Sequence, residues 1–182
     1  LMEETNRLCE PAGGMNIVTV GAIAHGNGLS DRAADNVGIR PITEAFEPSP
    51  FSRAGPGVRG AIKPDFTDIG GTLIYNGLSA SLHGGEVRPE AGVMSLHYQP
   101  VDRLFAARSG TSHAAPLVAF KASQILARFP EASANLVRAL LAGSARIPEE
   151  AVRRLGHLGN SAELALCGHG RVDSERAAFS DD

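Results

Sequence analysis

The sequence lacks tryptophan and contains only two tyrosines and two cysteines. With so few aromatic rings, an aromatic cage around a cationic ligand is not expected. Cys9 and Cys167 lie near opposite ends of the chain, without the paired spacing of a zinc or redox site. A disulfide scaffold is therefore excluded, and so little cysteine is compatible with either cytoplasm or export.

The chain also lacks an excess of positive charge and any long apolar run. Lys plus Arg number 17 against 20 Asp plus Glu, so we expect no nucleic-acid partner. No apolar run approaches the roughly 20 residues that span a bilayer, so we expect no membrane partner. The first residues, Leu1 to Glu10, carry acids and show no signal-peptide pattern, and we expect an incomplete N-terminus. The localisation stays unknown.

Hydrophobic residues make up 43% of the 182 residues, enough for one folded domain. A β-branched run at 16–23 predicts a strand that is covered on both faces. The region 24–50 is irregular and predicts a loop with at most a short edge strand. Residues 75–100 predict a long surface loop with one strand at 93–97.

The strongest regular signal is an alanine-rich apolar run at 112–129, which predicts a long buried helix. A second helix is predicted at 132–145, with an apolar stripe of Leu136, Leu140 and Leu141. One or two further turns are predicted at 149–155, and a turn into an edge strand at 168–173.

The sequence contains one possible cofactor motif and two possible metal-binding pairs, but the residues around them do not support either function. The string Gly55 to Gly60 matches GxGxxG, but Pro64 follows at once and no helix begins there. His83 with Glu86, and Cys167 with His169, lack the spacing of metal ligands. We therefore expect neither a metal nor a cofactor.

The informative segment is Ser109-Gly-Thr-Ser-His-Ala-Ala-Pro116, at the start of the predicted long helix. A hydroxyl in the first turn lies beside free backbone N–H groups, which favour a developing oxyanion. This favours a nucleophile at Ser112. The alternative is a simple helix cap, in which Thr111 or Ser112 accepts a backbone N–H bond. Pro116 argues against a simple helix cap, because its missing N–H leaves the Ser112 carbonyl without its usual partner in the helix.

The segment Gly110 to Ala119 resembles the GTSxAAPxVA active-serine motif of the subtilisin-like serine proteases. Four other segments resemble family motifs in the same order, and together they cover residues 15–173: N-x-I-x-V-G-A at 16–23, FSxxGP at 51–56, KPD with a later glycine at 62–70, and G-x-G-x-V-D at 168–173. The resemblance implies an α/β fold of three layers with a mostly parallel sheet and a long buried helix after the catalytic serine.

The resemblance implies that Ser112 is the catalytic nucleophile and that Gly110 and Thr111 form part of the substrate-binding wall. The family's Asp and His motifs do not occur in this sequence, and neither Asp65, Asp68 nor the adjacent His113 replaces them. Residues 1–182 would then be the C-terminal part of a peptidase domain, with an insertion at about 75–108. Its expected partners are a polypeptide substrate and the missing N-terminal half, with self-association through an open sheet edge as a further expectation.

Three functions are compared on this basis. The first is a serine endopeptidase that forms an acyl-enzyme on Ser112, with this chain as an incomplete and inactive fragment. The second is a non-catalytic subtilase-like scaffold or interaction module. The third, an α/β-hydrolase, is disfavoured because that fold places Asp and then His after the serine, whereas His169 here precedes Asp173.

Overall fold

The centre of the fold is a pair of parallel strands that carries a long helix. A computed structural model describes residues 4–179; the first three residues, where an incomplete N-terminus was expected, lie outside that range. The strands in chain order are β1 (Val20–Ile23), β2 (Ile39–Pro41), β3 (Phe66–Ile69), β4 (Ile74–Asn76), β5 (Ser81–His83), β6 (Val93–Leu96) and β7 (Phe105–Arg108). The α-helices are α1 (Thr111–Arg128), α2 (Ala134–Ser144), α3 (Glu149–Leu155), α4 (Asn160–Cys167) and α5 (Ser174–Ala178).

Strand β1 pairs with β3 in parallel, with Val20 opposite Phe66 and Ile23 opposite Ile69. The predicted strand at 16–23 is therefore present, but it is shorter at its N-terminal end. Side chains bond to the backbone before Val20: the Thr19 N–H donates to Asp65 Oδ2 at 2.7 Å, and Lys63 Nζ donates to the Ile17 carbonyl. These bonds replace strand pairing in the first residues of the run.

Besides the parallel pair, the described residues form two small antiparallel sheets. Strands β2, β4 and β5 form one of them, and β6 and β7 form a hairpin. The edge strand allowed within 24–50 is β2. The prediction of a single strand in 75–100 is wrong, because β5 lies there as well as β6, and β7 follows this range. These strands have three or four residues and partly exposed side chains, so they produce no sustained alternation in the sequence.

Helix α1 packs against β1, β3, α2 and α5. Its predicted bounds are confirmed to within one residue, but the prediction of a buried helix is only half right. Val118 and Ile125 are buried against Phe66, whereas Phe120 is 62% exposed and Leu126 42% exposed. Within residues 4–179, nothing covers this second apolar face of α1.

The remaining helices complete two apolar clusters. In α2, the Ser133 side chain caps the first turn, and Val137 and Leu141 are buried. The predicted stripe is wrong at Leu136, which is 47% exposed, because the buried face is turned by one residue. Helix α3 matches its prediction and pairs with α4, which was not predicted. At 168–173 only isolated bridges at Arg171 form instead of an edge strand.

Candidate functional site

Ser112 lies in the first turn of α1 and is exposed to solvent. The cap of this helix is Gly110, and no side chain donates or accepts a capping bond there. Among the described residues, the Ser112 hydroxyl has no hydrogen-bond partner. The simple helix-cap interpretation of Thr111 and Ser112 is therefore wrong, and the hydroxyl is available for chemistry.

The backbone before Ser112 is held against the end of the parallel pair. The Gly110 N–H donates to the Gly70 carbonyl at 2.9 Å, directly after β3. A Cβ at Gly70 would lie 2.6 Å from Ala22 Cβ and 2.9 Å from the Gly110 carbonyl oxygen, so a side chain there would push the turn away. The close approach of these backbones places Ser112 at the carboxyl edge of the sheet, where α/β folds build their sites.

The Ser112 backbone N–H lies in the first turn of α1. The first bond across this turn runs from the His113 N–H to the Gly110 carbonyl, at 3.0 Å. Within the described residues, the Thr111 and Ser112 N–H groups have no backbone acceptor. These free N–H groups and the helix dipole together favour negative charge beside the Ser112 hydroxyl.

The other site residues from the sequence are distributed as follows. Gly110 and Thr111 are half-buried and border the exposed Ser112. His113 is half-buried and makes no side-chain hydrogen bond to Ser112. Asp65 accepts from Lys63 Nζ at 2.6 Å, and Asp68 accepts from Lys121 Nζ at 2.5 Å, so both carboxylates serve the structure as expected.

Sequence reasoning missed Ser109, which ties the segment 75–108 to the site. Its hydroxyl accepts from the Gly85 N–H at 2.9 Å and donates to the Ala91 carbonyl at 3.0 Å. The segment therefore attaches three residues before Ser112. No local pattern marks this role, since both partners are backbone groups 18 to 24 residues away.

Ser112 borders an apolar groove of about 980 Å³ along the uncovered face of α1. Its walls come from the start of β1 and from α1 and α2, and they consist mostly of alanine, valine and leucine. The lining residues include Val20, Ala115, Ala119, Ala122, Leu126 and Arg138.

Among residues 4–179, no group of three or more His, Cys, Asp or Glu side chains could hold a metal ion. Burial, together with the nearby Glu163 carboxylate, raises the pKa of the Cys167 thiol to about 12. Cys167 is therefore a protonated core residue rather than a nucleophile, and Cys9 is exposed. The histidine His83 shares a hydrogen bond with Ser81 at 2.8 Å.

None of the helices between residues 4 and 179 has the length and hydropathy of a bilayer-spanning segment.

Comparisons with known proteins agree with this architecture. The model of the subtilase family matches residues 3–170. An uncharacterized protein, y4bN, of Sinorhizobium fredii (strain NBRC 101917 / NGR234) is 59% identical over 182 residues, which are 100% of this chain and 42% of that protein. The chain thus spans less than half the length of this curated relative. Given its α/β arrangement around a parallel strand pair and the family match over most of its length, the chain belongs to the subtilase family.

Proposed function

We propose that the protein containing this chain is a serine endopeptidase with Ser112 as its nucleophile. Membership of the subtilase family indicates a serine protease. The observation that carries the assignment to Ser112 is its exposed hydroxyl in the first turn of α1, free of any capping role. Gly110 and Thr111 border this hydroxyl and would contact the substrate backbone.

In the proposed reaction, Ser112 Oγ bonds to the scissile carbonyl carbon while a general base takes the hydroxyl proton. The carbonyl oxygen becomes an oxyanion that accepts from the Ser112 N–H. The C–N bond then breaks, the amine leaves with the proton, and water hydrolyses the acyl-enzyme. The residues described here supply the nucleophile and one oxyanion donor.

The base and its orienting acid would come from outside residues 1–182. Among the described residues, none bonds to the Ser112 hydroxyl, and His113 lies one step along the same helix. We therefore propose that this chain is the C-terminal part of the peptidase domain, with an insertion at about 75–108. By itself it would be inactive, since loss of a triad base costs several powers of ten in kcat.

The N-terminal half of the domain would occupy the apolar groove beside Ser112. Two observations support this proposal: the groove exposes apolar side chains such as Leu126, and the relative extends well beyond the matched region. Self-association of the isolated chain through the sheet edge stays a proposal. It is restricted to the start of β1, because Ala22 and Ala24 already bond to residues 46–49.

A fluorophosphonate probe tests the assignment, because it reacts covalently with activated serines. We expect the full-length product to be labelled, Ser112→Ala to abolish labelling, and this chain alone to remain unlabelled. Ser123→Ala is the matched control, since Ser123 lies on the same helix and donates to the Phe120 carbonyl. If folded full-length protein is not labelled, the protease proposal is wrong.

That negative outcome would favour the second candidate, a non-catalytic subtilase-like scaffold. The observation in its favour is the β6–β7 hairpin, which exposes large apolar side chains to solvent. Met94 is 72% exposed, Leu96 77% and Val101 98%. Exposed apolar clusters of this kind are common where proteins bind one another.

A further inference from the structure

A buried carboxylate on β3 is bonded to two cations from different parts of the chain. Asp68 is 1% exposed. Its Oδ2 accepts from Lys121 Nζ at 2.5 Å, and its Oδ1 lies 3.3 Å from Arg171 Nε. The Ile69 N–H also donates to Oδ1, at 2.9 Å. Both carboxylate oxygens are therefore bonded, as a buried charge requires.

This cluster joins three segments that are distant in sequence. Asp68 belongs to β3, Lys121 to α1, and Arg171 to the segment after α4. Lys121 Nζ also donates to the Val172 carbonyl at 2.8 Å, so one ammonium group bonds both to the strand and to the closing segment. Arg171 is held in turn by backbone bonds to Arg146 and by the ring of Phe46, 5.7 Å from its guanidinium carbon.

Apart from this cluster, helix α1 is held by the apolar packing of Val118 and Ile125 and by the backbone bond between Gly110 and Gly70. The rest of its packing surface is rich in alanine, which interlocks little with neighbouring side chains. Hydrogen bonds from Lys121 have a defined length and direction, so they resist sliding of the helix where methyl groups do not.

Movement of Lys121 would be transmitted to Ser112. The two residues are nine positions apart on one helix, roughly 14 Å along the axis. Because a helix moves nearly as a rigid rod, a shift at Lys121 displaces Ser112 by a similar distance relative to Gly70 and the end of β3.

We infer that Lys121 and Asp68 are positioning residues for the reaction, and that their ion pair sets the axial position of Ser112. The inference rests on the proposed function, because it concerns the reactivity of that serine. It predicts a loss of reactivity that is separate from any loss of stability.

The test uses the full-length protein and a double variant, Asp68→Leu with Lys121→Met. Replacement of a buried ion pair by apolar side chains of similar volume commonly preserves stability. The melting temperature should therefore stay within a few degrees, whereas the saturating rate of fluorophosphonate labelling should fall about 100-fold, as a misplacement near 1 Å produces. The probe concentration at half-saturation should not change.

The control is a second double variant, Glu47→Gln with Arg154→Met, which removes an ion pair of 3.9 Å that α1 does not share. Its labelling should equal that of the wild type. If the Asp68–Lys121 double variant is folded and labelled at the wild-type rate, the cluster serves folding alone and the inference is wrong.

Two further outcomes are distinguishable. If the double variant does not fold, Asp68→Asn replaces it, because the amide oxygen can still accept from Ile69 while the charge is lost. Its labelling rate should fall at least about tenfold, in the direction that misplacement predicts, and an unchanged rate overturns the inference. If wild-type protein itself is not labelled at Ser112, the proposed function fails, and the positioning role fails with it.

Discussion

Two neighbouring residues of α1 should respond differently to the presence of the rest of the protein. Ile125 is fully buried in the main core, whereas Leu126 is 42% exposed and borders the groove. Ile125→Ala should cost about 3 kcal/mol of unfolding free energy in any context, because it leaves a cavity among Phe66, Val118 and Leu141.

Leu126→Ala should cost less in the 182-residue chain. Three carbon atoms at about 0.8 kcal/mol each, scaled by the part of the side chain that is buried, give about 1.4 kcal/mol. No cavity forms, since the groove is open to solvent. In the full-length protein a covered groove would raise the cost to about 3 kcal/mol, because a cavity is then added.

Urea unfolding of the wild type and both variants, in the short chain and in the full-length protein, measures these free energies. Equal costs for Ile125→Ala and Leu126→Ala in the short chain would show that the groove face is already covered by residues of this chain. An unchanged cost for Leu126→Ala in the full-length protein would refute the proposal that another segment occupies the groove.

Three further predictions concern the core. Gly168→Ala should lower the unfolding free energy by at least about 3 kcal/mol, because φ is +58° and a Cβ would meet a backbone carbonyl oxygen at 2.0 Å. The control Gly159→Ala, at φ +85° with open space around it, should lower it by about 1 kcal/mol in the same urea titration. Thr67→Val should stabilise the fold by about 1 kcal/mol, since the buried Thr67 hydroxyl has no partner among the described residues. The control Thr72→Val removes a buried hydrogen bond and should destabilise the fold. A loss of stability in both variants would contradict the reasoning. The pKa of Cys167 is about 12 in the folded chain against 9.0 when unfolded, so the thiol leaves the unfolding free energy constant below pH 9 and lowers it as the pH rises from 9 toward 12. Unfolding titrations at pH 8 and 10.5 should therefore show a smaller change in unfolding free energy for Cys167→Ala than for the wild type.

The elements that could be predicted are those whose signal is local. The bounds of α1 follow from an uninterrupted apolar and alanine-rich run between Gly110 and Pro130. The strand at 16–23 was predicted too long, because Asp65 and Lys63 bond to the backbone before Val20 from 46 residues away. Such distant contacts leave no periodicity in the sequence.

The same distinction applies to the candidate site. Ser112 could be identified because its neighbours form a contiguous motif, and the structure then removed the helix-cap alternative. Ser109, Lys121 and Asp68 could not be identified, since each acquires its role from partners 18 to 53 residues away. Exposure of one face of α1 was also unpredictable, because its apolar residues resemble those of a fully buried helix.

The hydrogen bond between the Gly110 N–H and the Gly70 carbonyl has a consequence for how this chain tolerates changes in length. Residues 71–109 leave and re-enter the fold at two backbone groups only 2.9 Å apart. The entropic cost of closing a loop grows slowly with its length, so the exposed connection between β6 and β7 within this segment can change in length at little cost. Because the junction bonds through backbone groups, such changes would leave Ser112 in place.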